Sequence, residues 1–522
     1  MVEPRVLDGR GRAANRHAQP PGVRDRADQT DAPHHPGVGH AACVCEPDGS
    51  GRDSHRFGDR AIQHLQLRLD AEFPGDIREA CNGSPPATTD APRAEVVDRP
   101  VRRDARLQPD HGRDRREGLF RRLRLGDVRF QGRTPNGGVS RPTFSDAHLA
   151  ARKWFLARAE AGGLATHVDT AGNHSAVLRA RHSSDARVLL LGSHLDSVPG
   201  GGRYDGALGV VAALHVLLAC KGAGADLPFT LEAIDFTDEE GTLVGLLGSK
   251  ALAGTLTPEF LQSPRGGRQA LVAGLERAGL REERLFDARR DPGLLAGYLE
   301  LHIEQGPRLE REAVQIGVVT AIVGSRSFRI VLRGVRGHAG TTPMDARHDA
   351  AVAAAKVILG VREIIVRDFP SCVATVGDVR VEPGAFNVVP GVARVALEFR
   401  SQDEGELDAI ESEVLARIRA LAEADGIGVE ISPVAHWQPT GLDPMIWGAI
   451  ERAAADLGLT TKRLPSGAGH DAQALAAVTP SGLIFVPSIG GVSHDPGEST
   501  AWGDAVNGAN VLLGTVHQLA RR

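Results

Sequence analysis

Residues 188–220 read VLLLGSHLDSVPGGGRYDGALGVVAALHVLLAC, and this stretch decides the fold. Val188–Leu191 is apolar without alternation, as in a strand buried on both faces of a parallel sheet. It passes directly into a polar exit, Gly192-Ser193-His194-Leu195-Asp196. A glycine-rich turn then leads through Asp205 into Ala207–Cys220, whose apolar character predicts a buried helix. A buried strand, a polar exit and a buried helix form one unit of an open α/β sheet, which gathers its sites where strands end.

The pattern repeats on both sides. Phe229–Phe236, Tyr298–Ile303 and Leu483–Pro487 read as further strands, and Ser145–Gly163 and Trp502–Ala520 as helices. Strands alternating with helices predict an α/β fold with helices on both sheet faces. Between these parts the order changes to β-α-β-β-α-β, with strands at Ser327–Leu332, Cys372–Val381, Ala393–Arg400 and Val429–Pro433 and helices at Asp349–Arg367 and Glu404–Ala424. That order predicts a smaller α+β domain with one half-exposed sheet face. Ser327–Leu332 is expected as an edge strand open to pairing. The expected organisation is a catalytic domain over 119–322 and 434–522, interrupted by an inserted domain over 323–433. Residues 1–118 are rich in Arg, Asp, Pro, His and Gly and free of lysine. They cannot bury enough apolar surface to offset their ordering entropy, which predicts a disordered extension. A start codon placed too far upstream accounts for the same composition.

Composition excludes several classes. The net charge of −5 gives no basic footprint for nucleic acid. No apolar run reaches the ~18 residues of a membrane span, and no secretory signal opens the chain. The five cysteines suit reduced core positions rather than a disulfide framework, so a cytoplasmic enzyme is expected.

The chemistry lies at the predicted strand ends. His194 followed by Asp196 suits a metal ligand whose other ring nitrogen is held by a carboxylate, although a surface His–Asp pair reads the same way. Asp205 suits either a carboxylate bridging two cations or a helix cap. Asp235-Phe236-Thr237-Asp238-Glu239-Glu240 packs acids at one strand end, which is costly unless cations neutralise them. One of the adjacent glutamates can then bind metal while the other polarises a water. His302, His494 and, in the inserted domain, His338 join the set. Any one of these histidines reads more simply as structural; together they mark a metal centre.

The stretches GSHLDSVPGGGRYDGALGV, DEEG, LELHIEQGP, HAGTTPMD, FNVVPG with EFRS, SGAGHDA and GGVSHDPGE closely resemble the dizinc amidohydrolase family of allantoate amidohydrolase, N-carbamoyl-L-amino acid hydrolase and β-ureidopropionase. These are relatives of aminoacylase and carboxypeptidase G type peptidases. The resemblance runs from about Leu119 to Arg522. It implies a zinc-peptidase-like catalytic domain with an inserted lid and dimerisation domain. It also implies two zinc ions per subunit, with manganese, cobalt or nickel as possible replacements. Asp205 would bridge them, His194 and His302 completing one site and Glu240 and His494 the other. Glu239 matches the general base, and His338 a histidine that reaches the partner subunit's centre in a homodimer. Gln305, Asn387, Arg400, Gly469 and His470 match substrate-contacting positions. One departure is Gly337, where many relatives carry Asn. The implied reaction cleaves the ureido C–N bond of a small carboxylate substrate, releasing ammonia and carbon dioxide. A dizinc exopeptidase or aminoacylase on the same fold is the nearest alternative, and an inactive scaffold relative the more distant one.

Overall fold

The structure, a computed structural model, describes residues 131–183 and 186–521. The extension expected over 1–118, the boundary at 119, and Cys43, Cys45 and Cys81 lie outside these residues.

The larger sheet comprises β1 (Ala165–Val168), β2 (His174–Leu178), β3 (Val188–His194), β4 (Thr230–Phe236), β5 (Leu295–Ile303) and β6 (Ile316–Ile322) from the first part of the chain. The smaller sheet uses β7 (Gly324–Arg333), β9 (Val373–Glu382), β11 (Val392–Ser401) and β12 (Gly428–Trp437), with a two-stranded ribbon of β8 (Gly337–His338) and β10 (Val388–Val389) beside it. The chain then returns to the larger sheet with β13 (Thr440–Gly441), β14 (Thr461–Ser466) and β15 (Ser481–Val486). The order of the larger sheet is β1-β2-β4-β3-β5-β15-β6-β13, with β14 on β6.

The helices that matter for the site are α1 (Asp146–Ala161), α2 (Ala207–Gly222), α3 (Leu247–Ala253), α4 (Ala350–Asp368), α5 (Glu404–Ala424), α6 (Pro444–Asp456), α7 (Asp471–Leu475) and α8 (Trp502–Ala520). One face of the larger sheet packs on α1, α2, α6 and α8, and the other on α3 and α7, as a sheet of apolar strands requires. Helix α2 is buried on nearly every side, which explains its lack of a polar stripe. The smaller sheet covers its own core with α4 and α5. Both helices start at a capping aspartate: Asp349 accepts the Ala351 N–H at 2.9 Å, and Asp403 the Glu406 N–H at 2.8 Å.

One expectation fails. The smaller sheet runs β12-β7-β11-β9, so the strand read as an edge, Ser327–Leu332, is internal. Alternation reports one buried face, and an internal strand of a one-sided sheet shows it as well as an edge does. The true edges are β12 and β9. Among the described residues no helix is long and apolar enough to cross a membrane. Cys220 and Cys372 are buried free thiols, as expected.

Candidate active site

Strands β3, β4 and β5 run parallel as neighbours and β15 runs parallel to β5, so their C-terminal ends share one rim of the sheet. His194 closes β3 and His302 lies near the end of β5. Glu239 and Glu240 follow β4, and His494 follows β15. Asp205 reaches the same rim from the turn before α2. Gly206 makes that turn possible: its φ is +62°, and a Cβ there would lie 2.4 Å from the His194 ring. The helix-cap reading of Asp205 is not realised, because α2 has no side-chain cap at its start.

Asp205 divides its two oxygens. Oδ1 is 3.1 Å from His302 Nε2 and 3.6 Å from His194 Nε2, whereas Oδ2 is 3.3 Å from His494 Nε2. His494 Nε2 also lies 3.4 Å from Glu240 Oε2. Two groups able to hold a metal ion thus share one carboxylate, His194–Asp205–His302 and Asp205–Glu240–His494, with the donor atoms of each group within 4.8 Å of one another. Glu239 Oε2 stands 3.5 Å from His194 Nε2, beside the first set. The other ring nitrogens of His194 and His302 face carbonyls, those of Asp196 at 3.1 Å and Ile303 at 2.9 Å.

Asp196 therefore acts differently from expectation. Its backbone carbonyl meets His194 Nδ1, and its carboxylate stands back at 3.7 Å. The carboxylate instead accepts the N–H groups of Glu239 and Glu240 at 3.3 and 3.2 Å, fixing the turn that presents both glutamates. Asp238, at φ +59°, anchors the same turn by accepting the N–H groups of Leu243, Val244 and Gly245.

The charges agree with a cation site. Burial, then the charge of Glu240, raises the Glu239 carboxyl well above its ordinary range. Burial, then the Asp205 charge, pushes Glu240 up to about 8. Burial would raise Asp205 too, but donation from His302 and His494 outweighs it and holds Asp205 well below the carboxylate range. Carboxylates that repel one another in a buried cluster, interleaved with imidazoles, form a donor set that suits divalent cations of the zinc type.

Above these groups opens a cavity of about 340 Å³, whose wall includes Gln305, Arg400 and Gly469. Gln305 donates to Asp205 Oδ2 at 3.1 Å, so it steadies the shared carboxylate as well as facing the cavity. Arg400 turns Nε and Nη2 toward Glu398 Oε1, both at 2.8 Å, and donates from Nη1 to the Gly467 carbonyl. His470 lies behind the wall. It is buried, edge-on to His302 with ring centroids 4.6 Å apart, and paired with Ser466 Oγ at 2.8 Å. His338 and Asn387 are exposed and absent from this wall. They sit together, since β8 pairs with β10 and the Ala339 N–H donates to the Asn387 carbonyl at 3.0 Å.

Sequence reasoning missed several supporting groups. Glu498 accepts the N–H groups of Tyr204 and Asp205, and Glu398 holds Arg400. Both stand inside motifs already singled out, four residues after His494 and two before Arg400. Arg152 pairs with Asp235 at 2.9 Å beneath the site. Lys250 and Arg265 reach the cavity wall from positions with no local signal at all.

The comparisons with known proteins agree with this geometry. The model of the peptidase family M20/M25/M40 matches residues 190–518. An N-carbamoyl-L-amino acid amidohydrolase of Geobacillus stearothermophilus is 38% identical over 408 residues, 78% of this chain and 98% of the relative. An allantoate amidohydrolase of Bacillus subtilis (strain 168) is 32% identical over 395 residues, 74% of this chain and 94% of the relative. The crystal structure of a hydantoinase/carbamoylase family amidase from Burkholderia multivorans is similar with a TM-score of 0.72 and 34% identity, covering 78% of this chain and 98% of that one.

Proposed function

Because the chain belongs to the peptidase M20/M25/M40 family, we propose that it is a metal-dependent amidohydrolase cleaving the ureido C–N bond of a small carboxylate substrate. The observation that carries this reading is the division of Asp205 between two ligand sets. In this reading His194, Asp205 and His302 would hold one zinc ion, and Asp205, Glu240 and His494 would hold a second. Such a pair supplies Lewis-acid polarisation of a carbonyl and acidifies water near neutral pH.

The protein's own groups do the rest. Glu239 accepts the proton of the attacking water on a carboxylate oxygen and passes it to the leaving nitrogen, a role suited to a raised carboxyl pKa. Arg400 anchors the substrate carboxylate through the guanidinium protons that Glu398 and the Gly467 carbonyl leave free. Cleavage releases the amine and carbamate, which breaks down to ammonia and carbon dioxide.

The proposal includes residues 323–433 as an inserted domain that pairs two subunits. Support comes from His338 and Asn387, which are exposed, adjacent to each other and away from the cavity wall of their own chain. In this reading His338 donates to the developing oxyanion in the partner subunit's site. A cytoplasmic setting accords with the free thiols of Cys220 and Cys372.

The test is ammonia release from an N-carbamoyl-L-amino acid, allantoate and N-carbamoyl-β-alanine, with zinc or manganese supplied. Turnover of at least one is expected. Metal-loaded protein that releases ammonia from none of them would overturn the reading.

A further inference from the structure

Two cations of the cavity wall have no part in the chemistry above. Arg400 reaches the wall from the smaller sheet, whereas Lys250 lies on α3 and Arg265 in the segment that follows it. Arg400 has a carboxylate partner in Glu398 at 2.8 Å. Among the described residues neither Lys250 nor Arg265 forms an ion pair, and Arg265 makes no hydrogen bond either.

Their surroundings hold them there. Lys250 is 8% exposed; its Nζ donates to the Gly245 carbonyl at 3.0 Å and stands 4.4 and 4.9 Å from the ring centres of Phe260 and Trp437. Arg265 passes over the turn that follows the two glutamates, where a Cβ on Gly241 would lie 2.6 Å from its Nη1. The two cations repel each other. The acids acting on Lys250 are already committed: Asp238 to Thr143 and three backbone amides, and Glu239 to proton transfer. Once cations neutralise Asp205 and Glu240, the wall retains Arg265 as a guanidinium with no ion pair or hydrogen bond among the described residues, with the charge of Lys250 acting on it.

We propose that Arg265, backed by Lys250, forms a second anion subsite, so that the preferred substrate is a ureido dicarboxylate: an N-carbamoyl amino acid whose side chain carries its own carboxylate. The inference rests on the ureido reading, with Arg400 taking the first carboxylate and the Arg265 guanidinium the second. A planar guanidinium exposed at a cavity wall suits a carboxylate better than an amide, because charge-assisted donation is roughly twice as strong as neutral donation.

N-carbamoyl-L-glutamate and its neutral isostere N-carbamoyl-L-glutamine separate the charge from the shape. With metal-loaded protein, kcat/KM should favour the glutamate by about tenfold or more, the size of one hydrogen bond to a charged group. Arg265→Gln should erase most of that preference, chiefly through the KM for the glutamate, and Arg265→Glu should invert it. Arg265→Lys should retain part of it. A wild-type enzyme that prefers the glutamine, or an Arg265→Gln ratio equal to the wild-type ratio, overturns the subsite while leaving the ureido reading intact. Hydrolysis of neither compound overturns the subsite as well, and the ureido reading falls with it only if allantoate and N-carbamoyl-β-alanine are also inert. Should Arg265→Gln fail to fold, the wild-type ratio alone decides.

Discussion

The carboxylate of Glu498 accepts the backbone N–H of Asp205 at 3.1 Å, across 293 positions of the chain. The same oxygen accepts the Tyr204 N–H at 2.9 Å, and the other accepts Ser493 Oγ–H at 3.0 Å. One side chain therefore aims the turn carrying Asp205 and the loop carrying His494. Removing a group that orients metal ligands typically weakens metal binding by about 10–100-fold. Glu498→Ala should show that loss in zinc retained after dialysis against a graded chelator. Retention equal to wild type would mean that Glu498 braces the loops without aiming the ligands.

Glu239 and Glu240 share a turn but stand in different places, one beside His194 and the other beside His494. Glu239→Gln should keep its metal yet lose about 10²–10⁴-fold in kcat, since an amide cannot take the water proton. Glu240→Gln should lose metal from one site, because a neutral amide is a poor zinc ligand. Metal content of the two variants separates the roles, and equal zinc loss in both would contradict the assignment.

Arg400→Lys keeps the charge and removes the fork. Glu398 already engages Nε and Nη2, and the single ammonium nitrogen of a lysine cannot keep that contact and also offer the substrate a planar pair of donors. A loss of about ten- to hundredfold in kcat/KM is expected, mostly in KM, on the scale of one charge-assisted hydrogen bond. Unchanged kinetics would remove Arg400 as the carboxylate anchor.

The parts legible in sequence were those written in one local stretch. The ends of α5 are legible in the sequence because Asp403 caps it and its apolar spacing persists to Ala424. The clustering of the candidate ligands is legible because parallel strands must end on one rim, which puts each polar exit in the same place. What failed depended on pairing across the chain. Ser327–Leu332 alternates, yet only its partners β11 and β12 reveal it to be internal. The short strands β2 and β14 mix polar or exposed positions with buried ones, β1 buries none of its four residues, and none of the three carries a strong period. His470 stands in a conspicuous motif, but its place behind His302 is set by the packing of α7, which it opens, against β5 rather than by neighbours in sequence. Arg265 and Lys250 are ordinary surface letters until the fold brings them to the cavity.

Without metal, pH should destabilise the protein in a definite direction. His302 and His494 are pushed up to about 9, and Glu240 up to about 8. Each then holds a proton more tightly folded than unfolded, so its stabilisation is complete below the unfolded pKa and is lost as pH rises through the folded value. Chelator-stripped protein should therefore melt at progressively lower temperature between about pH 6.5 and 9, the span between an unfolded histidine and the raised folded values. Added zinc should raise the melting temperature most at the alkaline end, where the ligands are deprotonated and ready to bind. A stripped protein that gains stability over that span would show that the cluster does not carry these protons.

The shared active site is testable by counting. His338 is exposed in the β8–β10 ribbon and away from the cavity wall of its own chain. If it serves the partner's centre, His338→Ala and Glu239→Gln are defects in different chains of the same site. Each protein alone should be nearly inactive. Mixed after mild dissociation and reassociation, half of all dimers would be hybrids, with one centre carrying both defects and the other neither. Random exchange should then restore about a quarter of wild-type activity, by the isologous symmetry of a two-fold dimer. Were His338 to act within its own chain, every centre in the hybrid would keep one defect. A mixture that stays inactive, with subunit exchange demonstrated by a mass-tagged partner, would place His338 outside any site shared between subunits.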